Sequence, residues 1–244
     1  MRIAIVGAAG RMGRKLCELA APPLEVCAKV DVAEGYAREW GADAEGVVDF
    51  SFHEAVPGTL ARAVAQGIPC VVGTTALDAA ERRAVEEASR RIPVVWSGNY
   101  SLGVNVMLGL VRRAASLMGP EYDIEIAEMH HRHKKDAPSG TAVMLAEAAA
   151  AGRGADLAAS AIYGRKGVSG ERPYGEIAIH ALRGGSVVGD HTVMFAGELE
   201  RLELVHRAQD RAAFAAGALR AVLWASGRAP GLYTMQHVLG FESP

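Results

Sequence analysis

The 244 residues carry 26 basic and 28 acidic side chains, a formal net charge of −2, and half of them are hydrophobic. A chain of this size and composition fills one or two packed domains, and is neither a disulfide-stapled miniature nor a disordered polymer. Its near balance of charge sets up no field toward nucleic acid or an anionic membrane.

Cys17, Cys27 and Cys70 form neither an even set nor a C-x-x-C pair, and read as reduced, buried thiols. The first apolar stretch ends at Arg11 within a glycine-rich loop, unlike a signal peptide. Arg112 and Arg113 interrupt the longest apolar helix candidate, so no membrane span is expected and the cytoplasm is the expected compartment.

The first hundred residues alternate short apolar runs with helical patterns. Strands are expected at Arg2 to Val6, Leu24 to Val30, Val47 to Phe50, Pro69 to Val72 and Pro93 to Trp96. Helices are expected at Arg11 to Ala21, Ala55 to Gln66 and Asp78 to Arg91. Strands separated by helices of this size imply right-handed crossovers and a parallel sheet covered on both faces. After a helix from Val104 to Met118, the pattern changes. Tyr122 to Met129 alternates, with Ile124, Ile126 and Glu128 sharing one face. Further strands are expected at Glu176 to Leu182, Ser186 to Phe195 and Glu198 to His206. They are joined as hairpins through Arg183-Gly184-Gly185 and Ala196-Gly197. A helix from Thr141 to Ala151, a long polar loop from Tyr163 to Pro173 and an alanine-rich helix from Asp210 to Trp224 complete the pattern. The fold class is therefore α/β: a Rossmann-type doubly wound parallel sheet with a second, α+β domain built on an open mixed sheet.

Gly7-Ala8-Ala9-Gly10-Arg11-Met12-Gly13 lies between the first strand and the first helix. Glycines there permit the tight turn and let backbone N–H groups approach a pyrophosphate at the helix N-terminus. Asp31 ends the second strand, where an acid accepts hydrogen bonds from an adenosine ribose. The acid followed by Val32 favours NADH over NADPH, although Arg11, Arg14 and Lys15 stand close enough in sequence to meet a 2′-phosphate. Gly73, Thr74 and Thr75 end the fourth strand, and Ser97, Gly98, Asn99 and Tyr100 end the fifth, at the sheet edge where such folds bind ligands. Those residues read equally well as nicotinamide contacts and as ordinary turn and cap chemistry.

Glu128 to Thr141 is the densest signal. Six basic side chains run in succession from His130 to Lys135. Pro138 then fixes the chain, and Ser139-Gly140-Thr141 opens a helix whose amides form an anion site. Three competing readings are a solvated basic loop, a metal site and a nucleic-acid patch. No completing ligand set supports a metal, and no aromatics or helix-turn-helix support nucleic acid. The upstream dinucleotide loop tips the balance toward hydride transfer to an anionic small molecule. Neighbouring cations would disfavour a charged imidazole at His130 and a bound dicarboxylate would favour it, so the site would take up its proton with substrate. His180, His191, His206 and His237 stand alone in sequence and read as structural. Trp40, Trp96 and Trp224 read as core or interface.

The string E-x-H-H-R-H-K-x-D-A-P-S-G-T-A at Glu128 to Ala142 resembles the signature of the dihydrodipicolinate reductase (4-hydroxy-tetrahydrodipicolinate reductase) family. The resemblance extends over the chain through G-A-x-G-R-M-G at 7–13, G-T-T at 73–75, N-Y-S-L-G-V-N at 99–105 and G-L-Y-x-M-x-x-V-L at 231–239. It implies NAD(P)H-dependent reduction of a cyclic imine dicarboxylate to tetrahydrodipicolinate, in lysine synthesis by way of diaminopimelate. It places the proton donor on His130, and a second donor and carboxylate partner on Lys134. Substrate carboxylates fall to His131, Ser139, Gly140 and Thr141. Cofactor contacts fall on Gly7, Ala8, Ala9, Gly10, Arg11, Met12, Asp31, Gly73, Thr74, Thr75, Ser97, Gly98, Asn99 and Tyr100, and no metal is involved. The implied dinucleotide domain is 1–103 plus 212–244, and the substrate and oligomerisation domain is 104–211 of a homotetramer. Many members carry arginine directly after the ribose acid, where this chain has Val32, and the stretch from Asp31 to Val47 is short. The runner-up readings are another Rossmann reductase of small amino or keto dicarboxylates and a nucleotide-sensing regulator without turnover.

Overall fold

Strands Arg2–Val6 (β1), Glu25–Val30 (β2), Gly46–Asp49 (β3), Cys70–Val72 (β4), Pro93–Trp96 (β5) and Gly231–Tyr233 (β11) form one sheet in the order β11-β5-β4-β3-β1-β2 in the computed structural model, which describes residues 1–243. Every pair in it is parallel. The near-continuous apolar strands follow from burial on both faces. Ile3, Ile5, Val48, Val71 and Val95 face Leu16 of helix Arg11–Leu19 (α1) and Ala218 and Val222 of helix Ala212–Ala225 (α7). Ala4, Val6, Val47, Cys70 and Val94 face Leu60 of helix Val56–Gln66 (α2) and Val85 of helix Ala79–Ser89 (α3). The order runs outward from β1 in opposite directions to β2 and β3. That reversal opens a crevice at the carboxyl end of β1, where doubly wound sheets bind ligands.

This first unit comprises 1–102 and 211–244. β11 and helix Met235–Leu239 (α8) carry no signal in the sequence pattern, because three and five residues are too few for a period to show. The sheet supplies what β11 lacks, by pairing it with β5. Only Cys70 among the cysteines is fully buried. Cys17 and Cys27 are half-buried, which corrects the expectation of three buried thiols; all three are free.

The second unit, 103–210, holds a mixed sheet. Its strands are Asp123–His130 (β6), Ala161–Ile162 (β7), Ile177–Arg183 (β8), Asp190–Ala196 (β9) and Arg201–Arg207 (β10), in the order β10-β9-β6-β8-β7. Helices Leu102–Leu117 (α4) and Gly140–Arg153 (α5) share its core with Ile124, Ile126, Ile177, Ile179, Val193 and Phe195. One expectation fails here. β8 and β9 are not a hairpin, because β6 lies between them, parallel to β8 and antiparallel to β9. β9 also begins at Asp190 rather than Ser186. Flanking β6 on both sides lets Ile177, Ile179, Val193 and Phe195 all join Ile124 and Ile126, which a simple meander would not allow. The Ala196-Gly197 hairpin between β9 and β10 does form. A short helix, Leu157–Ser160 (α6), and β7 were not anticipated, again for want of length.

The long loop after β7 is strapped across the other sheet face by arginines. Arg172 donates to Glu125 at 3.0 Å and to the Glu176 carbonyl at 2.7 Å, and Arg165 bridges Glu125 and Glu176. His180 joins the same carboxylate at 2.7 Å, a structural role as expected. No helix among the described residues is long and apolar enough to cross a membrane.

Candidate active site

The first unit supplies a backbone-built cradle. Gly7 takes φ +81°, and a Cβ there would fall 2.5 Å from the Phe50 carbonyl oxygen. A Cβ on Gly13 would run into the backbone of Gly7 and Ala8, so glycine lets α1 sit against the loop. The Gly7 and Ala8 amides donate to the Val30 carbonyl at 2.9 and 3.1 Å, which ties the loop to the end of β2. Asp31 accepts from the Ala9 amide at 3.0 Å and from the Ala33 amide at 3.0 Å. A cavity of about 660 Å³ opens beside them, lined by Gly7, Ala9, Gly10, Asp31, Arg38 and Trp40 among others. Gly10 caps α1 without a side-chain hydrogen bond, so the first turn, Arg11 and Met12 included, begins with bare backbone amides. Bare amides, a turn only glycine fits and an acid at the cavity wall match the pyrophosphate and ribose of a dinucleotide.

Of the cations near Asp31, two are engaged within α1 and its loop. Arg14 is pinned to the Ala9 carbonyl at 2.9 Å, and Lys15 pairs with Glu18 at 2.8 Å. Arg38 instead donates to the Asp31 carbonyl at 3.2 Å and lines the cavity. The short stretch after Asp31 makes this possible. It folds straight back, with the Asp31 amide on the Ala37 carbonyl and the Ala37 amide on the Lys29 carbonyl.

At the sheet edge, several expected cofactor residues serve the protein itself. Thr74 donates to buried Asp49 at 3.0 Å, and Ser51 reaches the same oxygen at 2.6 Å. Tyr100 is 2% exposed, and its hydroxyl is held between the Val72 and Val95 carbonyls at 2.9 Å each. Its hydroxyl is thus engaged by the protein's own backbone. Ser97 donates to the Asn99 carbonyl, and the Asn99 side chain accepts from the Ser101 amide, so both take part in the turn that leads into α4. Gly73 lies on the ring of Phe50 and Gly98 in the turn after β5. Thr75 precedes Ala76, whose φ of 61° is uncommon outside glycine and marks a constrained loop.

The second unit supplies a side-chain network. Alternation along β6 sends Ile124, Ile126, Glu128 and His130 to the buried face, as expected. Glu128 is fully buried and receives four hydrogen bonds. Arg183 grips it as a fork at 2.8 and 2.9 Å, the Ser139 amide donates at 3.0 Å, and His130 Nδ1 lies 2.6 Å away. Burial pushes the carboxyl up, but Arg183, His130 and the Ser139 amide together hold it below its ordinary value. Arg183 also donates to the Asp136 carbonyl at 2.6 Å, fastening the basic loop to β8. His130 therefore stands beside a buried carboxylate and not among cations alone, as its sequence neighbours suggest.

Ser139 caps α5, accepting from the Ala142 amide, and is 2% exposed, so its hydroxyl belongs to the network rather than to an open surface. Gly140 and Thr141 begin the helix behind it. Lys134 pairs with Asp136 at 2.8 Å and is mostly covered. The His131 amide donates to the Val187 carbonyl at 2.8 Å, and its ring lies 6.2 Å from that of His133.

Two histidines that stand alone in sequence join His130. His191 sits 5.2 Å from it ring to ring, meets Ser139 Oγ at 3.3 Å and is 4% exposed. Burial, then the charge of His130, lowers its pKa to about 4, so it is neutral in use. His206 follows 6.4 Å further on. The signal lies in sheet register: Glu128 opposes His191, and His191 opposes His206. His237 completes a capping box with Thr234 and is structural.

The residues 1–100 match the family model described as dihydrodipicolinate reductase, N-terminus, and 103–239 match dihydrodipicolinate reductase, C-terminus. The chain is 48% identical to 4-hydroxy-tetrahydrodipicolinate reductase of Rubrobacter xylanophilus, over 98% of each chain. It is 46% identical to the enzyme of that name from Thiobacillus denitrificans, over 99% of each. In fold it is similar to dipicolinate-bound dihydrodipicolinate reductase from Paenisporosarcina sp. TG-14, with a TM-score of 0.76, 21% identity, and coverage of 96% of this chain and 97% of that one. With both halves matched and close relatives aligned end to end, the chain belongs to the dihydrodipicolinate reductase family.

Proposed function

We propose that this chain reduces 4-hydroxy-tetrahydrodipicolinate, a cyclic imine dicarboxylate that loses its hydroxyl as water, to tetrahydrodipicolinate with hydride from NADH or NADPH and one proton, within lysine synthesis by way of diaminopimelate. The observation that carries the reading is the pairing of His130 with buried Glu128 beside the α5 N-terminus, in a chain whose other unit holds a glycine cradle and Asp31. When bound, the nicotinamide supplies the hydride. His130 then delivers the proton that the reduced ring requires, from Nε2, because Nδ1 faces Glu128. The Gly140 and Thr141 amides, with His131 and Lys134, take the substrate carboxylates through charge-assisted hydrogen bonds. Lys134 exchanges Asp136 for substrate in doing so, and is a second donor.

Gly7 to Met12 hold the pyrophosphate and Asp31 the adenosine ribose, while Gly73 to Thr75 and Ser97 to Tyr100 form the nicotinamide edge. Asp31 followed by Val32 favours NADH. Arg38 on the same cavity wall offers a 2′-phosphate one cation and keeps NADPH usable. The sheet face opposite α5 carries Leu182 at 49% and Val205 at 48% exposure, with Met129 and Met194 half-buried between them. Apolar residues left uncovered beside the arginine strap on Glu125 pack against a second copy, and the family resemblance makes the assembly a tetramer. The test of the activity is consumption of reduced nicotinamide on adding freshly generated substrate. Turnover dependent on both components is expected; none with either cofactor would refute the reading.

A further inference from the structure

We propose that Glu128 is the positioning residue of this reduction, holding the His130 ring by Nδ1 so that Nε2 alone delivers the proton. The inference rests on the reading of His130 as the donor, and adds how the protein selects which nitrogen acts. Glu128 and His130 are two residues apart on one strand, so both side chains leave the same sheet face and lie side by side. An ionised carboxylate only accepts hydrogen bonds, so the nitrogen facing it at 2.6 Å carries a proton in both charge states of the ring. Proton gain and loss are then confined to Nε2.

The carboxylate cannot turn away. It is fixed by Arg183 from β8 and by the Ser139 amide at the start of α5, elements far apart in sequence. The groups facing the His130 ring are Glu128 from its own strand, His191 from β9 with His206 behind it, and the backbone of Gly189. His191 is uncharged in use, so it sets no second charge beside the ring. Gly189 lines the other side of the ring with backbone alone, and a Cβ there would lie 2.9 Å from Nε2. One side of the imidazole is thus clamped by charge and the other is kept clear by a missing side chain. That division suits a ring that must hold still at one nitrogen and react at the other.

Nitrogen-15 NMR of the imidazole, read on whole enzyme, tests this without turnover. In the wild-type protein the neutral His130 ring is expected with its proton on Nδ1. In Glu128→Gln the amide nitrogen can face Nδ1 and turn it into an acceptor, so the proton is expected to move to Nε2. Turnover is expected to fall by about 10²- to 10⁴-fold, the larger figure being the loss seen when a catalytic histidine is left in the wrong tautomer, while the substrate KM changes less than about threefold. Reduced-nicotinamide binding should be unchanged. A neutral wild-type ring protonated on Nε2 would overturn the proposal, and that measurement stands even if the variant fails to fold. A folded Glu128→Gln enzyme with wild-type turnover would overturn it equally. Failure of the substrate assay would instead tell against the reductase reading, because the tautomer is measured apart from it.

Discussion

The two half-sites of this chain are made of different material. The cradle of the first unit is backbone: a positive-φ glycine, a close-packed helix start and amides that any sequence with those glycines would present. The site of the second unit is side chain, with Glu128, His130, Arg183, His191 and Ser139 contributed by three strands and a helix cap. The first rests on its glycines and its acid. The second is a coupled set in which each member fixes another, so a single loss is felt by the rest. Cofactor binding and proton delivery should therefore separate cleanly under mutation.

His130→Gln gives the largest separation. Turnover should fall by about 10²- to 10⁴-fold, the scale for losing a general acid, with reduced-nicotinamide affinity unchanged in a fluorescence titration. Turnover within about threefold of wild type would remove His130 from the chemistry. Next is the stability of the side-chain site. His191 has a folded pKa of about 4, below its unfolded 6.5. Between those pH values the unfolded chain holds a proton that the folded chain does not. Stability from this group is present above about pH 6.5 and is lost as pH falls toward 4, by up to about 3 kcal/mol. His191→Gln should flatten that slope in urea melts taken from pH 7 to 5, and an unchanged slope would contradict the burial argument. The smallest effect belongs to the cradle. Asp31→Ala should weaken NADH by roughly tenfold, the worth of one charge-assisted hydrogen bond, and NADPH by less, because the same acid repels a 2′-phosphate. Equal losses would take Asp31 out of the ribose site.

The same difference in material decided what could be read in the sequence. Gly7, Gly10 and Gly13 are legible because backbone geometry is written locally, and so is the alternation that puts Glu128 and His130 on one face of β6. Arg183, His191 and His206 were not legible as partners. Their meeting depends on β6 lying between β8 and β9, and the glycines after Arg183 pointed to a hairpin instead. Arg38 was missed for a related reason, since only the fold-back after Asp31 returns it to the cavity. Thr74 and Tyr100 were legible as edge residues, but their hydroxyls answer to Asp49 and to two strand carbonyls, which no spacing reveals.

The most direct test of the whole account follows the two hydrogens to their destinations. The enzyme is given the cyclic imine substrate and NADH carrying deuterium at the transferable position of the nicotinamide, and the product is weighed by mass spectrometry. The account predicts tetrahydrodipicolinate carrying the cofactor's deuterium, with the second hydrogen drawn from solvent through His130. Product without deuterium, or reduced nicotinamide left unconsumed in the presence of substrate, would contradict it.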